Sequence, residues 1–333
     1  MAGRVFAVGS IRIALGIMVV SCVACTGASG RPPENPSATA TVRASTSTST
    51  PSVAMFKSHV PIPEKDGRSL PFWLVDVTVR QDDRAVGEAV ALVDTGAQTT
   101  VIDRAWAAAH GLRSAETHVV ATDIAGQRIA TWVAGDVQLS LGAIDGRASD
   151  LVLIDMPEML RGLGIAVIWS PQSTVAPASL LRFDFRQGRI EGGEAGELAE
   201  PRRPSCRGRR FDSSALVVDA TVGGHSMQLE LDSGSNDTSL LQGSAAGAAL
   251  WTQSLGGQTT SHGAAGGFAS RELGLVPVEV EGYAMLTSVS VIGTDAGADA
   301  PAPECPSDGV IGLPVLERCR LALTQTHFSL ACE

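Results

Sequence analysis

The stretch Leu92-Val93-Asp94-Thr95-Gly96-Ala97 returns in the second half of the chain as Glu230-Leu231-Asp232-Ser233-Gly234-Ser235. In both stretches a strand-like run leads into an aspartate, a small hydroxyl residue and a glycine. Hydrolysis without a metal or a covalent intermediate needs one carboxylate to activate water and a second carboxyl group to donate a proton. Because each half supplies one candidate, the duplication predicts that Asp94 and Asp232 work as a pair.

The two halves align beyond these stretches. Gly126 follows Asp94 and Gly266 follows Asp232 at nearly the same spacing, and each glycine lies at the tip of a predicted hairpin. An aliphatic segment and a closing pair of strands come next in each half. Helical periodicity is confined to short pieces such as 103–110. The sequence therefore predicts a mainly β protein built from two copies of one module.

Other interpretations of these stretches have less support. A single Asp-(Thr/Ser)-Gly most often forms a turn, but two copies in matching surroundings favour a catalytic pair. The sequence has no Gly-x-Ser-x-Gly elbow, no His-Glu-x-x-His and no Walker loop. Its six histidines are scattered, and the four cysteines of the C-terminal half include no Cys-x-x-Cys, so neither a metal nor a cofactor is expected.

These features resemble those of the retropepsin-like and pepsin-like aspartic peptidases, over nearly the whole chain after residue 56. The resemblance implies two pseudo-symmetric acid-protease β-barrel lobes in one chain, 56–195 and 205–333, like two fused retropepsin monomers. The active site would then form within a monomer, and pairing between lobes of different chains is the alternative. The family's hydrophobic-hydrophobic-Gly segment is Val310-Ile311-Gly312 in the second copy, whereas Val167-Ile168-Trp169 in the first copy has tryptophan at the glycine.

The resemblance implies an endopeptidase that cleaves a peptide or protein substrate. Asp94 and Asp232 would share one proton and activate a water for attack on the scissile carbonyl, and the ionised member of the pair stays open. Residues implied to hold the two loops together are Thr95, Gly96, Ser233 and Gly234. Flaps implied to close over the substrate contain Ala125, Gly126, Gly266 and Gly267. A noncatalytic peptide-binding lipoprotein with an inactive protease fold is the alternative, motivated by Trp169.

The N-terminal segment 1–25 is typical of a signal peptide. Arginines precede the apolar run 13–20, which is too short to span a bilayer. Ser21-Cys22 resembles a bacterial lipobox, and Cys25 offers a second frame, so lipidation at one of these cysteines is expected. We therefore expect an exported cell-envelope protein that is anchored to the membrane, with ordinary secretion as the alternative.

The composition limits the remaining possibilities. Residues 26–55 are dominated by Ser, Thr, Ala and Pro, which predicts a disordered tether between the anchor and the folded lobes. The formal charge of −10 over 333 residues leaves no basic excess for binding nucleic acid.

Four cysteines lie in the C-terminal half, where export permits disulfide bonds. Cys319 and Cys332 flank a predicted hairpin and are expected to pair, which leaves Cys206 to pair with Cys305. Four cysteines allow three connectivities, and this one is the most local.

Overall fold

The structure is a computed structural model that describes residues 12–13, 19–21, 50–61, 69–116, 120–177, 179–194, 196, 198–204, 206–207, 214–254, 258–263, 266–293 and 306–333. Most of the predicted signal peptide and tether, including Cys22 and Cys25, lies outside these residues. None of the helices within the described ranges is long and apolar enough to cross a membrane.

The described chain is mainly β, as the sequence predicts. Its strands are β1 (Arg12–Ile13), β2 (Val19–Ser21), β3 (Ser52–Ala54), β4 (Phe56–Pro61), β5 (Ser69–Gln81), β6 (Arg84–Val93), β7 (Val101–Asp103), β8 (Ala115–Glu116), β9 (Val120–Thr122), β10 (Arg128–Ile129), β11 (Trp132–Leu141), β12 (Ile144–Ile154), β13 (Ile165–Trp169), β14 (Ser179–Asp184), β15 (Arg189–Glu194), β16 (Cys206–Arg207), β17 (Ser214–Ala215), β18 (Val217–Val222), β19 (His225–Leu231), β20 (Thr238–Leu241), β21 (Gln258–His262), β22 (Gly267–Val280), β23 (Tyr283–Ile292), β24 (Gly309–Ile311), β25 (Cys319–Leu323) and β26 (Phe328–Cys332). Its helices are α1 (Arg104–Ala109), α2 (Glu158–Gly162), α3 (Pro171–Thr174), α4 (Ala245–Gln253) and α5 (Leu313–Leu316).

Six strands of the first half close into a barrel, here called the first barrel. Their order is β5-β6-β13-β7-β12-β11, and β11 pairs with β5 to close the ring. The pairs β6–β13 and β7–β12 are parallel, and the other pairs are antiparallel. A closed ring leaves no free strand edge, which satisfies the backbone hydrogen-bonding groups of all six strands.

Six strands of the second half form the second barrel in the order β18-β19-β24-β20-β23-β22, closed by β22 on β18. The pairs β19–β24 and β20–β23 are parallel, and the others are antiparallel. Strand order and strand direction are therefore the same in the two barrels.

Alternation of side chains fills the barrels. In β5, Val75, Val77 and Val79 are buried, whereas the intervening Asp76 is exposed and Thr78 is half-buried. Successive side chains of a strand point to opposite faces, so this pattern turns one face of β5 toward the core. Burial of each valine contributes about 1.5–3 kcal/mol.

A five-stranded sheet, here called the connecting sheet, joins the two halves in the order β26-β25-β14-β15-β3. At its centre β14 pairs antiparallel with β25, which sets Phe183 opposite Leu321, and both side chains are buried. Each half thus contributes two strands to one sheet, and β3 adds a fifth, so the prediction of a disordered tether over 26–55 is wrong for Ser52–Ala54, which pair with β15.

A disulfide bond joins Cys319 and Cys332, which lie directly opposite each other on β25 and β26. The predicted pairing across this hairpin is therefore confirmed. Cys305 lies outside the described residues, so its pairing with Cys206 stays a prediction.

Candidate active site

The structure brings Asp94 and Asp232 together at equivalent points of the two barrels. β6 ends at Val93 and β19 ends at Leu231, so each aspartate is the first residue after its strand. The Asp94 N–H donates to the Trp169 carbonyl at 2.9 Å, and the Asp232 N–H donates to the Ile311 carbonyl at the same distance. Both carboxyl groups are fully buried.

Local hydrogen bonds fix the orientation of each carboxyl group. Asp94 Oδ1 accepts hydrogen bonds from the Gly96 and Ala97 amides, both at 2.9 Å, and Asp232 Oδ1 accepts one from the Gly234 amide at 2.8 Å. These are turns of the kind that aspartate forms with the residues that follow it. The Oδ2 atoms are buried and accept no hydrogen bond from a neighbouring amide or hydroxyl group.

Thr95 and Ser233 interlock the two loops. The Thr95 N–H donates to Ser233 Oγ and the Ser233 N–H donates to Thr95 Oγ1, both at 3.0 Å. Each hydroxyl group then donates to a carbonyl of the opposite strand, Thr95 Oγ1 to Leu231 at 2.8 Å and Ser233 Oγ to Val93 at 2.7 Å. Each bond contributes about 0.5–1.5 kcal/mol, and losing one buried partner costs about 1–3 kcal/mol.

Glycine is required where the loops meet. A Cβ atom on Gly234 would lie 2.7 Å from Cγ of Asp94, and one on Gly96 would run into the carboxyl group of Asp232. Each carboxyl group thus packs against the glycine of the other loop. Only a residue without a side chain permits this approach.

Burial shifts the proton affinity of the pair. It raises the pKa of Asp94 to about 6, against opposing interactions with the Asp232 side chain and with the Ala97 and Gly96 amides. It raises the pKa of Asp232 well above its usual value, and the negative charge of Asp94 raises it further. Because like charges this close cannot both form readily, the pair retains one proton when Asp94 has ionised.

The structure corrects the placement of Trp169. Register pairs Trp169 with Val93, as it pairs Ile311 with Leu231, so Trp169 corresponds to Ile311. The prediction that Trp169 occupies the glycine position is therefore wrong by one residue. Counting along the sequence missed this because the loops differ in length and β13 has a register irregularity between Ile165 and Val167. The Trp169 ring is buried in the core near Phe183.

Ser170, not Trp169, corresponds to Gly312. Each of these two residues precedes a short helix, α3 or α5, as its N-cap. A Cβ atom on Gly312 would lie 2.9 Å from the Ser235 carbonyl oxygen and would run into the carbonyl of Asp237. The first loop instead holds Ser170 through its amide, which donates to Thr100 Oγ1 at 3.0 Å.

Gln172 supports the Asp94 loop and was not predicted from the sequence. Its Nε2 donates to the carbonyls of Thr95 and Ala97, both at 2.8 Å, and the side chain is buried. In the second barrel a backbone amide, that of Leu313, donates to the carbonyl of Ser235 at 2.9 Å. No local sequence signal marks a glutamine for this role, because its partners lie far away along the chain.

The four predicted flap residues lie at the turns of two hairpins. Residues 123–127, here called the first tip, connect β9 to β10, and residues 263–267, the second tip, connect β21 to β22, with 264 and 265 outside the described residues. Ala125 and Gly126 lie in the first tip, and Gly126 has a φ of 80°. Gly266 and Gly267 lie in the second tip.

The first tip packs against the second barrel. Its Ile124 and Ala125 are buried in an apolar cluster with Phe268, Ile292 and Val310. Val310 lies on β24, which pairs with β19 just before Asp232. This contact covers the side of the second barrel that carries the aspartate.

The two tips also contact each other. Gln127 Nε2 in the first tip donates to the Gly267 carbonyl in the second tip at 3.1 Å. The Asp123 side chain lies beside Gly263, where a Cβ atom would be 2.7 Å from Asp123 Oδ2. The structure is therefore a closed form, in which no surface of Asp94 or Asp232 is exposed.

No group of three or more His, Cys, Asp or Glu side chains in the described part of the chain is arranged to hold a metal ion. The chemistry that the paired carboxyl groups can perform is proton transfer to and from a water and a substrate held between them.

Residues 75–168 match a family model described as aspartyl protease. This segment, a retropepsin-like aspartyl protease domain, contains Asp94 and nearly all of the first barrel, and it ends before Asp232. The predicted resemblance to the aspartic peptidases is thereby confirmed for the first barrel. A search of curated proteins found no match to the chain.

Proposed function

We propose that the protein is an aspartic endopeptidase in which Asp94 and Asp232, one from each barrel, activate a water for hydrolysis of peptide bonds. The observation that carries this proposal is the meeting of the two buried carboxyl groups, interlocked through Thr95 and Ser233. The second barrel would be a second retropepsin-like lobe, since it repeats the strand order and strand directions of the first. The lobes would then span 56–195 and 205–333.

The proton affinities support a division of labour within the pair. When Asp94 ionises, Asp232 keeps its proton, because burial and the Asp94 charge both raise the pKa of Asp232. Asp94 would take a proton from the water as the water oxygen bonds to the scissile carbon. Asp232 would give its proton to the carbonyl oxygen, which yields a tetrahedral diol.

Collapse of the diol completes the reaction. As the carbonyl reforms, a diol hydroxyl returns its proton to Asp232, the C–N bond breaks and the departing nitrogen takes the proton from Asp94. Both aspartates thus regain their starting states. Interlocked loops suit this chemistry, because proton transfer requires donors and acceptors that are held in place before the reaction begins.

Substrate entry requires the tips to separate. The first tip covers the second barrel and the Gln127–Gly267 hydrogen bond joins the tips, so a peptide must displace these contacts to reach the dyad. An extended peptide would then pair with the hairpin backbones as an added strand.

The proposal includes export and a lipid anchor. The charged, apolar and small residues of 1–25 support lipidation at Cys22, with Cys25 as the second frame, and the part of 26–55 that precedes β3 would tether the lobes to the membrane. Mass spectrometry of the N-terminal peptide from the membrane fraction tests this. An acylated Cys22 is expected, and an unmodified, soluble protein would contradict it in favour of ordinary secretion.

Hydrolysis of a mixed peptide library tests the activity. Cleavage by the purified protein that disappears in both Asp94→Asn and Asp232→Asn is the expected result. If the folded protein cleaves nothing at any pH but binds peptides, the noncatalytic peptide-binding lipoprotein is the better description. Specific activity that rises with protein concentration would instead indicate a site formed between two chains.

A further inference from the structure

Glu230 is a buried carboxyl group that the proposed mechanism does not use. It lies two residues before Asp232 and has no exposed surface. The matching residue of the first barrel, two residues before Asp94, is Leu92, which is also fully buried. The two barrels thus carry opposite chemistry at equivalent positions: a carboxyl group in one and an aliphatic side chain in the other.

The side chain of Glu230 points away from the barrel core. Its neighbours Leu229 and Leu231 both belong to the core cluster, and successive side chains of a strand alternate, so Glu230 lies on the opposite face. In the first barrel that face carries Leu92, which belongs to the same apolar cluster as Ala121 and Ile129 of the hairpin that ends in the first tip. Glu230 and Leu92 therefore face the hairpin-covered side of their barrels, where the dyad lies.

An apolar cluster lies beside Glu230. Register sets Glu230 beside Val310, whose apolar cluster includes Phe268 and Ile292. In the closed form Ile124 of the first tip fills this cluster. When a substrate displaces the tip, a side chain next to the scissile bond can take its place.

Glu230 lacks a partner of opposite charge. The side chain of the neighbouring Gln98 forms a hydrogen bond with the Glu230 carboxyl group that lowers its pKa, but Gln98 carries no charge. Within the described part of the chain, the charges that act on Glu230 are those of Asp94 and Asp232, and both are negative. Ionising a buried carboxyl group that has no partner of opposite charge costs several kcal/mol of stability, and leucine avoids that cost.

We propose that Glu230 determines specificity by receiving the lysine or arginine side chain of a substrate next to the scissile bond, while Leu92 receives an apolar side chain on the other side. This inference rests on the proposed endopeptidase function. The aliphatic stem of lysine or arginine would cover Phe268 and Val310, and its charged head would reach the carboxylate. A charge-assisted hydrogen bond there supplies the partner of opposite charge that Glu230 lacks.

The preference for a cation should depend on pH. Burial raises the pKa of Glu230, and the Asp94 charge raises it further, so the free site favours the protonated form and a bound cation favours release of the proton. β18 and β24 set Val217 and Val310 beside Glu230, and neither titrates. Proton release makes binding of a lysine side chain tighter as pH rises, relative to an uncharged side chain of similar shape.

The test uses peptides that are identical except for lysine or norleucine next to the scissile bond, on either side of it. We expect the native protein to prefer lysine on one side by about 10- to 100-fold in kcat/KM. Glu230→Leu should reverse that preference and Glu230→Gln should abolish it, whereas Glu279→Gln, which removes an exposed carboxyl group of β22, should leave it unchanged. A native preference for norleucine on both sides, or Glu230 variants with an unchanged ratio, would overturn the inference.

A binding measurement separates this inference from the proposed function. Analogues in which a hydroxyethylene group replaces the scissile bond cannot be cleaved, and calorimetry with the native protein gives their affinities. Tighter binding of the lysine analogue, increasing with pH, supports the role of Glu230 even if no peptide is hydrolysed. Equal affinities at every pH overturn it even if peptides are hydrolysed, and even if the Glu230 variants fail to fold.

Discussion

The two barrels support their equivalent aspartates through different kinds of contact. Around Asp94 the supports are side chains, with Gln172 bonded to the loop carbonyls and Thr100 bonded to Ser170. Around Asp232 the support is backbone packing, which is close enough to require Gly312. A duplicated module can therefore conserve the position of a carboxyl group while replacing the contacts beneath it.

Removing either carboxylate is expected to have the largest effect, and it tests whether the two aspartates are equivalent. Asp94→Asn and Asp232→Asn should each lower kcat by about 10³-fold or more, because each removes one proton-transfer group. Initial rates with a cleavable peptide measure this, and circular dichroism checks that both variants fold. If one variant kept most of the activity, the two barrels would not contribute equally to the chemistry.

Paired substitutions at Ser170, before α3, and at Gly312, before α5, compare the two supports directly. Gly312→Ala should destabilise the protein by about 2–4 kcal/mol, because its Cβ collides with backbone atoms that cannot move far. Ser170→Ala should cost about 1 kcal/mol or less, since the bonded Ser170 amide is retained. Urea denaturation gives both values, and equal costs would contradict the difference in support.

Gln172→Leu tests the polar support of the first loop alone. It removes hydrogen bonds to the buried carbonyls of Thr95 and Ala97, so a loss of about 1–3 kcal/mol in stability is expected. A reduction in kcat should accompany it, because Asp94 would be held less firmly. The matched control is Gln172→Glu, which keeps the shape of the side chain but not the amide donor. Its stability and kcat should be no higher than those of Gln172→Leu. Unchanged stability and kcat would show that the glutamine is dispensable.

Asp94 should also make the stability of the protein depend on pH. Its pKa is raised from 3.8 to about 6 by folding, so between these values the native state binds more protons than the unfolded state. Stability should therefore fall as pH rises from about 4 to about 6. Thermal unfolding across this range should show a flatter dependence for Asp94→Asn. An identical slope in the two proteins would contradict the raised pKa.

The sequence predicts those parts of the site that are encoded locally. Each Asp-(Thr/Ser)-Gly stretch specifies its own turn, and its duplication indicates the pair. Cys319 and Cys332 flank one hairpin, so their pairing can be predicted from neighbouring strands alone.

Other features depend on contacts between distant residues. The equivalence of Trp169 with Ile311 follows from strand register, which spacing along loops of unequal length does not determine. The packing of Ile124 against Val310 joins the two halves of the chain, and neither residue is unusual in its own surroundings. Glu230 lies within the stretch that indicated the fold, but only the structure shows that it is buried without a partner of opposite charge.

The connecting sheet has a consequence for folding during synthesis of the chain. β14 belongs to the first half, yet within the described residues its edge opposite β15 is paired with β25, which is among the last strands to be synthesised. Until residues 319–323 have emerged, the first half presents a hydrogen-bonding edge to its surroundings, and such edges recruit strands from other molecules. We therefore expect the chain to need protection by chaperones until its final residues are synthesised. We also expect truncation just before β25 to reduce the amount of soluble protein sharply.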